Sequence, residues 1–324
     1  MKFLYISFFL LLSFNGQAAC KNKNVVAVID TGLDVTHPSL KDSLWINPGE
    51  FGKDSQNKEK ATNGLDDDNN GFIDDVNGWN FIQSNHNLTD DHGHGTHVSG
   101  IITSMSPKTK IMVLKYYGKE VKNPLNTTIA SIHYAIKMGV CIINYSSAGM
   151  DSSPAERAAL VKAKKANILF VSAAGNSAAD LDDSHFYPSS YALENIISVA
   201  SVDKGAKLLK SSNFGERTVT IAAEGSEIVS TFPKGIFGKL SGTSQAAAFV
   251  SGLASRILSN SKTEVDFLSL KRLLIADAQV RTDLNDKVLA QGVINKLRTH
   301  ADSFIDQGRT ASGLIYKNQD EAEL

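Results

Sequence analysis

The sequence predicts an α/β layered fold with a mainly parallel sheet, on three observations. Short apolar runs rich in Val and Ile recur as VVAVI at 25–29, KIMVLKYY at 110–117, VCIINYS at 140–146, NILFVSAA at 167–174 and NIISVASV at 195–202. Helix-like stretches at 95–105, 126–138 and 154–166 lie between them. Buried strands alternating with helices are the pattern of a parallel sheet covered on its faces.

Each later element has its own local signal. Ser153-Pro154 supplies a cap and a first-turn residue for the helix at 154–166, and Glu156 follows where the helix dipole favours an acid. Region 207–240 reads as shorter strands and turns. The segment SQAAAFVSGLASRILS at 244–259 is one long helical pattern of small and apolar residues. A domain over 20–300 is therefore expected, followed by a polar tail at 301–324.

The chain has 324 residues, 42% apolar and 21% charged, enough for a sizeable core. Its formal net charge of −1 offers no field to hold nucleic acid or an anionic membrane. Lys2, an apolar run from Phe3 to Phe14 and small residues at Gly16, Ala18 and Ala19 have the layout of a signal peptide over 1–19. Export is the expectation, with no integral membrane domain, because no other segment is long and apolar enough to span a bilayer. Cys20 directly after two alanines also allows lipid attachment there, although Gln17 stands where a bacterial lipoprotein signal usually has Leu. Cys141, the other cysteine, opens the apolar CIIN and reads as an inert core residue. One disulfide at most is no framework, so the fold must stand on its core.

Three motifs carry chemistry. In VAVIDTGLD, 26–34, an apolar strand ends in Asp30, at the sheet edge where ligands and catalysis sit in α/β proteins; a strand-end acid can equally cap a turn. In DDHGHGTHVSGI, 90–101, His94 falls at a helix start between glycines. His92, His94 and His97 also make a spacing that a metal could use. In LSGTSQAAAFVSG, 240–252, Ser244 opens a helix of small residues, as nucleophile or as plain cap. An acid, a histidine and a serine in this order are the parts of a nucleophile whose proton the histidine takes and the acid orients.

These three segments resemble the signature segments of the subtilisin-like serine proteases, the subtilase or peptidase S8 family. LFVSAAGNS, 169–177, is similar to the strand whose Asn donates to the oxyanion, here Asn176. SNFGERTVTIAAEG, 212–225, and QGVINKL, 291–297, also look like later family segments, so the likeness covers about 25–300. It implies a three-layer fold with a central parallel sheet flanked by helices. It further implies a serine endopeptidase acting on protein or peptide substrates through Asp30, His94, Ser244 and Asn176, with no catalytic cofactor. The pocket for the residue before the scissile bond would be walled by Ser146, Ser147 and Ala148, by Ala174 and Gly175 within Ala173–Asn176, and by Phe186. Relatives with deep pockets tend to carry glycine where this chain has Ala148 and Phe186, so small or medium side chains are expected there. Gln245 and Ala248 replace the family's usual Met and Pro, and neither transfers protons. Only about ten residues separate the signal segment from Asp30. Secreted members of the family often carry a prodomain there, so the resemblance leads to the expectation of unaided folding or of a separate inhibitor or chaperone chain in its place.

Between Asp30 and His94 lies the acidic insert TNGLDDDNNGFIDDVNGWNF, 62–81. Asp66, Asp68 and Asn70 alternate before Gly71, and Asp74 follows, the spacing of a Ca²⁺ loop. Asn77 stands where the bidentate acid of such loops belongs, which leaves a solvated acidic turn as the other reading. Three rival functions remain at this level: a metal hydrolase built on the three histidines, an aspartic protease using Asp30-Thr31-Gly32, and a degenerate family member that only binds. The second needs another DTG or DSG, and the sequence has none.

Overall fold

The computed structural model describes residues 20–119, 121 and 124–295; the expected signal segment and the polar tail lie outside the described residues. In chain order the strands are β1 (Asn22–Asp30), β2 (Gly78–Asn80), β3 (Lys110–Lys115), β4 (Val140–Tyr145), β5 (Leu169–Ala173), β6 (Ile196–Val202), β7 (Ile221–Glu224), β8 (Ile228–Phe232), β9 (Ile236–Leu240), β10 (Gln279–Val280) and β11 (Gly292–Ile294). The α-helices are α1 (His94–Met105), α2 (Pro124–Lys137), α3 (Pro154–Lys165), α4 (Thr243–Asn260) and α5 (Phe267–Ala276). A nine-stranded sheet runs β10-β11-β7-β6-β5-β4-β1-β3-β2, and β8-β9 forms a separate hairpin. Within the large sheet only β10 and β11 pair antiparallel.

Side-chain alternation divides the sheet between two cores. Val26 and Val28 of β1 face a core shared with Val98 of α1, Val250 of α4 and Leu274 of α5. Ala27 and Ile29 face the opposite core with Ile132 of α2 and Leu160 of α3. Both faces of each central strand are covered, which is why these strands read as continuous apolar runs. The result is the expected three-layer arrangement. Each fully buried Val, Ile or Leu contributes roughly 1.5–3 kcal/mol, and the small residues Ala246, Ala247 and Ala248 let α4 lie close against the sheet.

Local signals account for most element boundaries. The Ser153 hydroxyl caps α3 by accepting the Glu156 amide, as its sequence predicts. Besides the two-residue β10, two elements were not anticipated. Strand β2 is only three residues of the acidic insert's end, and α5 follows Asp266, whose carboxylate accepts the Ser269 amide. No helix among the described residues is long and apolar enough to cross a membrane.

The cysteines depart from expectation. Cys20 and Cys141 form a disulfide with Cα atoms 5.1 Å apart, so Cys141 is not a free core thiol. The bond uses the Cys20 sulfur that a lipid thioether would also need, so lipidation of Cys20 is incompatible with this structure. It ties the chain just before β1 to the second residue of β4.

Candidate active site

The carboxyl edge of the sheet gathers the predicted residues. Asp30 is the last residue of β1, Ser146 follows β4, Asn176 lies just beyond β5, and His94 opens α1. Gly93, in the left-handed region at φ 93°, turns the chain into α1, and a Cβ there would meet the Phe232 ring at 2.6 Å. A Cβ on Gly95 would sit 2.2 Å from the Gly32 carbonyl oxygen, so glycine there lets α1 approach β1.

Asp30 Oδ1 and His94 Nδ1 lie 2.7 Å apart, with side-chain exposures of 5% and 21%. Asp30 Oδ1 also accepts the Thr31 amide at 2.8 Å. Burial disfavours the charged imidazolium, but the adjacent Asp30 and the Asp90 carboxylate outweigh it and hold His94 above its ordinary pKa. With Nδ1 facing a carboxylate, Nε2 is the nitrogen left to act as base.

Ser244 is the second residue of α4, and the N-cap is Gly242 with no side-chain capping bond, so the serine is not a cap. The residue is 8% exposed, and its hydroxyl donates to the Ser146 carbonyl at 3.0 Å. Return bonds hold α4 to β4: Ser146 Oγ donates to the Ser244 carbonyl, and Ser251 Oγ donates to Asn144 Oδ1. Reaching His94 requires the Ser244 hydroxyl to leave Ser146, a rearrangement common before substrate binds. Asn176 Oδ1 accepts the Thr243 amide at 3.0 Å and hydroxyl at 3.2 Å. An amide N–H can only donate, so these bonds fix the carboxamide orientation and leave Nδ2 to point elsewhere.

A cleft of about 270 Å³ adjoins Ser244, lined by Ser146, Ser147, Ala148, Ala173, Gly175, Asn176, Ser177, Phe186 and Thr243. Ala174 is absent from the wall. It is fully buried in the core with Leu181, and its carbonyl accepts Asn213 Nδ2 at 2.9 Å. β5 ends at Ala173, and Gly175 turns the chain at φ 105°. The Phe186 ring lies over Gly175, where an added Cβ would be 3.4 Å from its Cδ1.

The three histidines do not converge on a metal. His97 is buried with Nε2 3.0 Å from the Ile228 carbonyl, and burial pushes its pKa down. The acidic insert is also rearranged relative to expectation. Asp66 accepts the Asn70 and Gly71 amides, Asp74 accepts the Gly64 amide, and Asn70 Oδ1 accepts the Phe72 amide. These three fasten turns, and of the four expected ligands only Asp68 joins a cluster. That cluster is Glu50, Asp68 and Asp75, with carboxylate oxygens within 4.8 Å of one another. Asn47 and Asn70 amides donate to both Asp68 and Asp75. Glu50 Oε2 is buried without a hydrogen-bond partner among the described residues. Burial, with the neighbouring acids adding to it, raises the pKa of Glu50 and of Asp75.

Some participants escaped the sequence reading. Asp90 and Asp91 are adjacent and chemically alike, yet Asp90 is 3% exposed while the Asp91 side chain is 76% exposed. Glu50 sits before the insert, outside any ligand spacing, and Thr243 gave no signal beyond its place before the serine.

Fold and edge define a class: a three-layer α/β protein presenting an acid–histidine pair beside a helix-borne serine. The profile of the subtilase family (Peptidase_S8) matches residues 21–298, and the chain belongs to that family. It is 32% identical over 261 residues to subtilisin-like protease 1 of Plasmodium berghei (strain Anka), covering 72% of this chain and 42% of that protein. With the major intracellular serine protease of Bacillus subtilis (strain 168) it shares 32% identity over 252 residues, 74% of this chain and 70% of the other. The chain thus spans less than half the length of the Plasmodium relative. A crystal structure of a cold adapted subtilisin-like serine proteinase superposes with a TM-score of 0.68 at 22% identity, covering 85% of this chain and 89% of that one.

Proposed function

We propose that the protein is an exported serine endopeptidase in which Ser244 is the nucleophile and His94 its base. The Asp30–His94 contact of 2.7 Å, on the same sheet edge as Ser244, carries this reading. Ser244 Oγ attacks the scissile carbonyl while His94 Nε2 takes its proton. Asp30 stays ionised, accepts a hydrogen bond from Nδ1–H and favours the imidazolium. Asn176 Nδ2 donates to the developing oxyanion, a contribution worth about 2.7–4 kcal/mol of barrier at comparable sites. Collapse expels the amine, which receives the proton from His94, and water then repeats the sequence on the acyl-enzyme. A fluorophosphonate probe should label Ser244 in the parent and not in His94→Ala. Labelling elsewhere, or none on folded protein, would exclude this assignment.

Ser146, Ser147, Ala148, Gly175 and Phe186 shape the pocket for the residue before the scissile bond, with preference for Ala, Ser or Val. The disulfide supports an oxidising destination, and hence export. Glu50, Asp68 and Asp75 fit a hard cation such as Ca²⁺. The orphaned Glu50 Oε2 and the crowding of three acids are what such an ion would relieve. Its role is stabilising, and no catalytic step passes through it.

A further inference from the structure

Beside the Asp30–His94 contact lies a second carboxylate that the proposed chemistry leaves without a role. Asp90 Oδ1 accepts the Thr31 hydroxyl at 2.8 Å, the His92 amide at 3.1 Å and the Gly93 amide at 2.8 Å. Its Oδ2 accepts the Thr96 amide at 2.9 Å and hydroxyl at 2.7 Å. All of these donors are neutral, so the carboxylate keeps its negative charge. Burial pushes its pKa up, but the bonds from Thr96, Gly93 and Thr31 outweigh burial and hold it below the ordinary range.

The donors come from both halves of the catalytic pair. Thr31 follows Asp30 at the end of β1, while Gly93 and Thr96 bracket His94 at the start of α1. The Thr31 hydroxyl oxygen also accepts the Gly95 amide at 3.0 Å, closing a clasp of Asp90, Thr31 and Gly95. A turn would be fastened by one or two such bonds. This set fixes two side chains that lie 64 positions apart in sequence.

We infer that Asp90 is a positioning residue: it holds Asp30 and His94 in register, and its charge adds to that of Asp30 in favouring the imidazolium. This rests on the serine protease reading above. Other groups facing His94 do not replace that charge. His92 has its ring centroid 6.2 Å away, and His97 is buried one turn along α1. From the end of β3 comes Lys115, its ammonium bonded to the Thr89 carbonyl and 3.6 Å from Asp91, and Tyr116 follows it. From α4 comes Ser244, and β8 brings no titratable side chain.

Asp90→Asn keeps the shape but removes the charge and turns one acceptor into a donor. With a small peptide substrate, kcat should fall about 10- to 100-fold, as for a slightly misplaced catalytic group, while KM moves less than about 3-fold. The acid limb of kcat/KM should move to lower pH, because less negative charge surrounds the imidazolium. Thr31→Val, which breaks the clasp and keeps the carboxylate, should lower kcat several-fold, and Thr31→Ser should restore it. A folded Asp90→Asn with parental kcat, or with an unmoved acid limb, overturns the inference. Should Asp90→Asn fail to fold, the Thr31 pair decides, since parental kcat in Thr31→Val overturns it equally. Ser244→Ala is the separate control: hydrolysis surviving there refutes the protease reading itself.

Discussion

Phe186 is the side chain on which substrate choice should turn. Its ring lies over Gly175 and packs against the core around Leu181 and Val219, while Ser190 holds its backbone on both sides. A ring so supported cannot swing out without losing those contacts, so in the proposed pocket it would fill space that an incoming Phe or Tyr side chain needs. Phe186→Gly should open that space. Burying a phenylalanine side chain is worth roughly 1.5–3 kcal/mol, which corresponds to about 10- to 150-fold in kcat/KM. The gain should appear for substrates with Phe or Tyr before the scissile bond and be near zero for Ala. Stability should fall by roughly 1–3 kcal/mol, from lost packing of a half-buried ring and from glycine's backbone entropy. Phe186→Ala separates these, since it empties the pocket with less backbone cost. The assay is a peptide series varied only at that position, with kcat/KM measured for each member. Equal cleavage after Phe and Ala by the parent, unchanged in Phe186→Gly, would refute the argument.

Two further outcomes follow from the same geometry. His94 must be neutral to accept the serine proton, and its pKa is raised, so kcat/KM should fall as pH drops, with a midpoint above the ordinary imidazole value of about 6.5; a midpoint well below it would contradict the Asp30 and Asp90 electrostatics. Cys20→Ser with Cys141→Ser should lower unfolding free energy by about 2–4 kcal/mol in denaturant titration, and intact mass should show Cys20 without lipid, an acylated Cys20 being the contrary result.

The sequence carried the central strands and four of the five helices, and it pointed to Asp30, His94 and Ser244, because these depend on local signals. A strand ending in an acid, a Gly-flanked histidine and a serine heading a small-residue helix can each be read within a dozen positions. What it did not carry depends on which neighbours meet in space. Glu50 joins Asp68 and Asp75 only once the insert folds back, and Asp66, Asn70 and Asp74 are diverted to nearby backbone amides that a spacing rule ignores. Cys20 and Cys141 are 121 positions apart, and their pairing needs β1 beside β4. Ala174 was assigned to the pocket because the whole segment matched a wall, although the residue packs into the core with Leu181.

The acidic insert offers the sharpest separation of stability from catalysis. It is held to the body by Asn77, whose Nδ2 donates to the Trp45 carbonyl, and by Tyr134 and Lys137 of α2, which bond Asp75 and the Asn70 carbonyl. Without a cation, Glu50 and Asp75 bind protons more readily folded than unfolded. Their raised pKa values therefore make stability fall as pH rises from the unfolded carboxylate range through the folded values. On the proposed cation reading Ca²⁺ would replace those protons, so the rise in Tm with Ca²⁺ should grow over that same window and shrink at lower pH, where protons compete. At 100 times its Kd the ion should stabilise by about 2.7 kcal/mol. Glu50→Gln with Asp75→Asn should abolish the response, whereas Asp66→Ala with Asp74→Ala should lower Tm at every Ca²⁺ concentration and keep it. Catalysis should be indifferent, because Asp90 and Thr31 hold the Asp30–His94 contact from within, independently of the insert. Well below Tm, excess chelator should therefore leave kcat/KM unchanged. An identical melting curve with millimolar Ca²⁺ and with chelator would reduce the cluster to a polar loop. A fall in kcat on chelation of folded enzyme would mean that the insert, and not the Asp90 clasp, sets the triad.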